Sequence, residues 1–191
     1  MGHRALLAYR RDDSTGPDAT DADDPDCSRA DATYDLHRSH WGGADFALAD
    51  RLSAETPFAT DTAFAVDPDP VATDCSLAEI VADRLDFLHH EAFYRVGTDY
   101  ETTPFHVWWF GLDTESETVE RSETVGHGAA VEARPDDDFL RGWLRATKAV
   151  VGDGVDWGAL TPEEATDYLA DRAEAWADDR EVILPDRRGP L

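Results

Sequence analysis

Residues 34–43, YDLHRSHWGG, hold the densest set of reactive side chains in this sequence. His37 and His40 stand three apart, where a strand pattern gives way to a helix pattern. That spacing brings two imidazoles onto one metal if the chain turns between them. A catalytic zinc site needs three protein ligands and an open position. His3, on a neighbouring strand, or His106 would supply the third ligand, with Asp35 or Asp45 as a carboxylate alternative. No HExxH pattern is present, and the spacing does not name the third ligand. The competing reading makes His37 a surface strand residue and His40 a hydrogen-bonded turn residue, and it is the more economical one.

Two other chemistries draw on the same residues. Ser39 beside His40, with Asp35 nearby, has the residue types of a Ser-His-Asp centre. Triads are defined by geometry, however, and adjacent strand residues point to opposite faces. No GxSxG elbow exposes the serine either. Alternatively, Gly42 and Gly43 ahead of a helix can offer backbone N–H groups to a phosphate or carboxylate, with Arg4 and Arg38 as counter-charges. Without a Walker lysine or GxGxxG the pattern gives no support to a nucleotide fold. Arg4, Arg10, Arg11 and Arg38 are expected near one sheet end, where pairing with carboxylates is the commoner fate of an arginine. Trp41, next to the glycine pair, reads as a contact residue or as an anchor of the turn to the core.

The elements that must position these groups follow from hydrophobic period and punctuation. Residues 3–10 form a short apolar run suited to a buried strand. Residues 11–32 are acidic and lack an apolar period, as in a disordered loop. From Thr33 to Ser39 the strand resumes, with Tyr34, Leu36 and Arg38 on one face and Asp35, His37 and Ser39 on the other. A helix is expected over Ala44–Leu52, and a loop with anchored aromatics over 53–75. Ser76 and Glu79 make a capping box for a helix running to His89. Strands follow at Ala92–Val96, Phe105–Leu112, Thr118–Glu120 and Gly128–Arg134. Asp136, Asp137 and Asp138 place negative charge at the start of a helix that should end at Gly152–Gly154. Thr161, Pro162 and Glu164 open a last helix reaching about Asp178. His89 and His90 read as residues at a helix C-terminus, and Trp108, Trp109, Trp143 and Trp176 as packing. The expectation is one α+β domain over residues 1–191: a mainly antiparallel sheet of about five strands, helices packed on it, and an extended tail over 183–191.

Composition bounds the setting. The chain has 191 residues, enough for a core of its own. No apolar run approaches the roughly 18 residues of a membrane span, and the N-terminus lacks a signal-peptide pattern, so a soluble, cytoplasmic protein is expected. Its 42 acidic residues outweigh 17 basic ones, for a net charge of −25. Lys148 is the only lysine, and Asn and Gln are absent. In dilute buffer such charge opposes compaction; at ~1 M salt the Debye length falls to about 3 Å and most of the repulsion vanishes. This is the composition of a halophilic, salt-in protein. The charge also argues against nucleic acid as a partner, although molar salt blunts that exclusion. Cys27 and Cys75 fit no metal spacing and should be reduced in a cytosol.

At residues 1–9, MGHRALLAY, and 34–43, YDLHRSHWGG, the chain resembles an uncharacterised family of haloarchaeal proteins of unknown function. The resemblance implies source and fold and carries over no catalytic residue; the acidic stretch 11–32 looks like an insertion between the matching segments. Two functional expectations follow. The leading one is a non-catalytic binding or regulatory protein that contacts a protein partner or small anion through Arg4, Arg38, Trp41, Gly42 and Gly43. The alternative is a small hydrolase using His37 and His40, with a divalent metal as its cofactor.

Overall fold

The computed structural model describes residues 3–12, 32–112, 125–135, 137–177 and 179–185. Most of the expected acidic loop, Cys27, the strand expected over Thr118–Glu120 and the end of the tail lie outside the described residues. The class is α+β as expected, but seven strands form among the described residues where about five are expected, and their directions are mixed. The chain falls into two compact units, Met1–Ile80 with His90–Pro104, and Val81–His89 with Phe105–Leu191.

In the first unit, β1 (Arg4–Arg10) lies between β2 (Tyr34–Ser39), antiparallel to it, and β4 (His90–Val96), parallel to it. Strand β3 (Ala72–Cys75) adds antiparallel to β2. Ala5, Leu6, Leu7 and Ala8 are all buried, so both faces of β1 are covered. That explains a continuous apolar run instead of an alternating one. One face of this unit carries Ala5, Leu7, Ala92, Tyr94 and Val96, packed with Leu48, Leu52, Ala59 and Val66 from the segment that follows β2.

That covering segment is not the helix expected over Ala44–Leu52. Only Ala44–Phe46 forms a short 3₁₀ turn, and Asp45 (φ 47°) and Phe46 (φ 53°) sit in the left-handed region. Two consecutive non-glycine residues there stop an α-helix from propagating. The chain instead advances by successive i→i+3 turns, from Ala47 N to Ala44 O, Ala49 N to Phe46 O and Arg51 N to Leu48 O. The spacing of Leu48 and Leu52 survives, since both still point at the sheet.

Helix α1 (Leu77–Asp83) starts at the expected capping box: Ser76 N donates to Glu79 Oε2 at 2.8 Å, and Glu79 N donates to Ser76 Oγ at 3.2 Å. It ends six residues before His89. Asp86 Oδ1 accepts from the N–H groups of Leu88 and His89, both at 3.1 Å. These local bonds compete with the helical ladder and win. His89 therefore faces Asp86, Nδ1 to Oδ2 2.9 Å, and does not cap a helix.

The second unit carries most of β5 (Thr102–Trp109), with β6 (Gly128–Glu132) and β7 (Val182–Ile183) paired antiparallel in that order. Helices α2 (Asp138–Asp156) and α3 (Pro162–Ala177) supply Leu140, Val151, Val155, Ala165, Leu169 and Ala173 to a core with Trp108, Phe110 and Val131. Helix α2 runs through Gly152 and Gly154, which were expected to end it. A mid-helix glycine costs only about 1 kcal/mol, whereas termination needs a left-handed residue just past the cap. Gly158, at φ 71°, is that residue. The capping box of α3 forms as expected, with Thr161 N donating to Glu164 Oε2 at 2.8 Å and Glu164 N to Thr161 Oγ1 at 3.2 Å.

Candidate functional site

The strand–turn junction at 34–43 is built from the pairing of β1 with β2. Leu7 lies opposite His37 and Ala5 opposite Ser39, so both polar residues share the face that the 44–66 segment covers. His37 is only 5% exposed. Its Nδ1–H donates to the Asp67 carbonyl at 2.8 Å, and its ring lies 5.0 Å from that of Tyr9 and 5.3 Å from that of Phe58. Ser39 is buried too; its hydroxyl donates to the Phe64 carbonyl and accepts from the Gly42 N–H, both at 2.9 Å. Asp35 is half-buried, with Arg11 Nη1 at 3.8 Å as its ionic partner. The shared face expected for Asp35, His37 and Ser39 thus forms, but His37 and Ser39 work as polar pins under the covering segment.

The glycine pair has a steric role. A Cβ at Gly42 would come within 2.3 Å of Leu48 Cδ1, and one at Gly43 within 2.7 Å of the Arg4 carbonyl. Both amides are already engaged, Gly42 N by Ser39 Oγ and Gly43 N by the His3 carbonyl at 2.8 Å. Any anion held here would therefore be held by side chains. Tyr94 donates to the Gly42 carbonyl and fixes the turn from beneath.

The outer surface of the turn is different. Trp41 is 51% exposed, with its ring 6.1 Å from that of His3. His3 Nδ1 meets Glu91 Oε2 at 2.6 Å. Arg4, Arg38 and His40 are all exposed. Since Leu6 pairs with Arg38 and Ala5 with Ser39, they stand within one or two residue steps of each other at this end of the ladder. Arg10 pairs with Tyr34 at the opposite end, where Arg11 meets Asp35 and Asp74. The arginines expected at one sheet end are thus divided between two. Neither Arg4 nor Arg38 has an ion-pair partner among the described residues.

Two candidates remain, Asp45 and His106. Asp45 is exposed on its left-handed backbone. His106 belongs to the second unit. Among the described residues no three His, Cys, Asp or Glu side chains gather into a group that could hold a metal. Cys75 is buried and its thiol donates to the Thr73 carbonyl at 3.5 Å.

His106 marks a cluster that sequence reasoning missed. Asp137 is buried at the start of α2, and its Oδ2 accepts from Arg134 N at 2.6 Å, Arg180 Nη1 at 2.7 Å and His106 Nε2 at 3.2 Å. Burial pushes the Asp137 carboxyl up, but the hydrogen bonds from Arg180, Arg134 and His106 outweigh it and hold it below the usual range. Burial holds His106 below its ordinary value despite that carboxylate, with Arg141 and Arg180 adding to the effect. Arg180 also lies over the Trp176 ring, 5.2 Å from its centroid. The available signal was His106 itself, a lone polar residue in an apolar strand.

The chain matches the model of a family of unknown function, DUF6735, over residues 27–63 and 59–184. It belongs to that family. The match includes the Tyr34–Gly43 junction of this DUF6735 chain, helices α1, α2 and α3 and the Asp137 cluster. No curated protein and no solved structure matches it. Among the described residues, no helix is long and apolar enough to cross a membrane.

Proposed function

We propose that this DUF6735 protein is a halophilic, cytoplasmic protein of haloarchaeal type that binds and does not catalyse. Its contact surface is the corner made by His3, Arg4, Arg38, His40 and Trp41, and its ligand is an anionic group on a small molecule or a partner protein. One observation carries the reading. In a chain with 42 acidic residues, Arg4 and Arg38 stand exposed beside an exposed tryptophan without a carboxylate partner among the described residues. Guanidinium groups are the side chains best suited to carboxylate and phosphate, and an exposed aromatic beside them adds apolar contact.

The test is calorimetric titration of the full chain with inorganic phosphate and, separately, with a short polyglutamate peptide, in KCl-containing buffer. Saturable binding of either probe, weakened about tenfold or more in Arg38→Ala and Trp41→Ala, supports the proposal. Variants that bind like the parent, or a parent that binds neither probe, overturn it. Metal analysis of protein purified without chelator tests the hydrolase alternative: stoichiometric zinc, manganese or iron that is lost in His40→Ala would replace the binding reading with an enzymatic one.

A further inference from the structure

An apolar stripe runs along the outward face of α2, interrupted by one acid, Asp153. Phe139, Gly142, Ala146, Ala149, Val150 and Trp157 are all exposed and, at 100° per residue, fall in one stripe. Phe139, Val150 and Trp157 are 58%, 72% and 81% exposed. A surface helix normally turns such a stripe inward, and α2 already buries a separate one through Leu140, Val151 and Val155. Two apolar stripes on one helix call for two partners; Phe139 meets the Trp176 ring at 5.7 Å, and the rest of the outer stripe is exposed among the described residues.

The charges in and beside the stripe say what the second partner is. Arg141 and Arg145 lie in the first half of the helix, Lys148 near its middle, and Asp153 and Asp156 in its last turns. No basic residue occupies the last turn, so carboxylates sit where the macrodipole disfavours them. Arg145 and Asp153, both exposed, have no ion-pair partner among the described residues. Lys148 is otherwise engaged, with Nζ 3.1 Å from the Trp109 carbonyl. Set antiparallel against a copy of itself, α2 brings its basic part against its acidic end twice, once on each side of a two-fold axis. The apolar residues fit the same arrangement. Phe139 falls beside Trp157 of the second copy, and Ala146 beside its Val150. Gly142, where an added Cβ would meet nothing within 4 Å, lets the axes approach.

The geometry points to a two-fold dimer of this chain through antiparallel α2 helices, with Arg145 of each copy paired to Asp153 of the other. This surface lies in the second unit and is independent of the Trp41 corner. Sedimentation equilibrium of the full chain over a concentration series, in about 1 M KCl to screen the repulsion between acidic copies, tests it. The parent should be a dimer. Ala146→Glu should be a monomer with unchanged circular dichroism. Arg145→Asp and Asp153→Arg should each weaken dimerisation about tenfold or more, and the double variant should restore it. A monomeric parent overturns the proposal, as does a dimer indifferent to Ala146→Glu or a double variant no tighter than the singles.

Discussion

The Tyr94 hydroxyl donates to the Gly42 carbonyl at 2.5 Å, joining β4 to the turn after β2 across 52 residues of sequence. The same oxygen accepts from the Leu48 backbone, and burial pushes the phenol's pKa above its ordinary value, so the proton stays in place to donate. One side chain thus holds both the turn and the start of the covering segment. Tyr94→Phe keeps the ring but leaves two backbone groups without that partner. The expected cost is about 2–4 kcal/mol, at roughly 1–3 kcal/mol for each unsatisfied buried group. Urea unfolding at fixed KCl measures it. A loss under about 0.5 kcal/mol would show that the turn is held by something else.

His37 and Ser39 should behave as core residues. His37→Ala removes a ring packed between Tyr9 and Phe58 and a hydrogen bond to Asp67; a cavity and a lost bond together cost about 3 kcal/mol. Ser39→Ala should cost about 1–2 kcal/mol, since the Phe64 carbonyl and Gly42 amide both lose a partner. His40→Ala, at an exposed site, should stay within about 0.5 kcal/mol of the parent. Thermal unfolding of the three variants gives the ranking. Equal effects at 37 and 40 would contradict the burial difference.

How much of this was legible beforehand depended on whether the signal was local. Alternation alone placed Asp35, His37 and Ser39 on one face. That the face is covered could not be read, because residues 44–66 advance by turns and the spacing of Leu48 and Leu52 reads as a helix of its own. The capping boxes at Ser76 and Thr161 were legible because each is closed within four residues. Strand β3, with the sequence ATDC, has no alternation to detect, and β7 is two residues long. The parallel pairing of β1 with β4 joins residues as distant as Leu6 and Phe93, which periodicity cannot report. Asp137 was read as one of three acids favouring a helix start. The burial of Asp137 rests on Arg180 and His106, both distant in sequence. That Arg4 and Arg38 have no ion-pair partner among the described residues is likewise a tertiary fact.

Salt should control folding. At net −25, self-repulsion opposes the compact state in dilute buffer and is screened at ~1 M salt, where the Debye length is about 3 Å. Removing KCl should therefore erase much of the helical circular dichroism, and restoring it should return the signal. Near-native spectra with no KCl added would sink the halophilic reading, since no other part of it is so exposed to a single measurement.

Acid should act on the second unit through Asp137 and His106. Both groups have folded pKa values below their ordinary ones, so between the folded and unfolded values the unfolded chain binds more protons and stability rises with pH. The His106 contribution is complete above about pH 6.5 and is lost as pH falls through the folded value; the Asp137 contribution is complete above about pH 3.9 and is lost below that. Unfolding midpoints at fixed KCl should therefore drop in two stages on acidification. His106→Phe should flatten the upper stage relative to the parent. Asp137→Asn should shrink the lower one, to which Asp86 and Glu164 also contribute, and cost about 3 kcal/mol at neutral pH, because the buried carboxylate that balances Arg180 is gone. If Asp137→Asn leaves both the neutral stability and the acid limb unchanged, the cluster is not what joins β5 and α2 to the residues after α3.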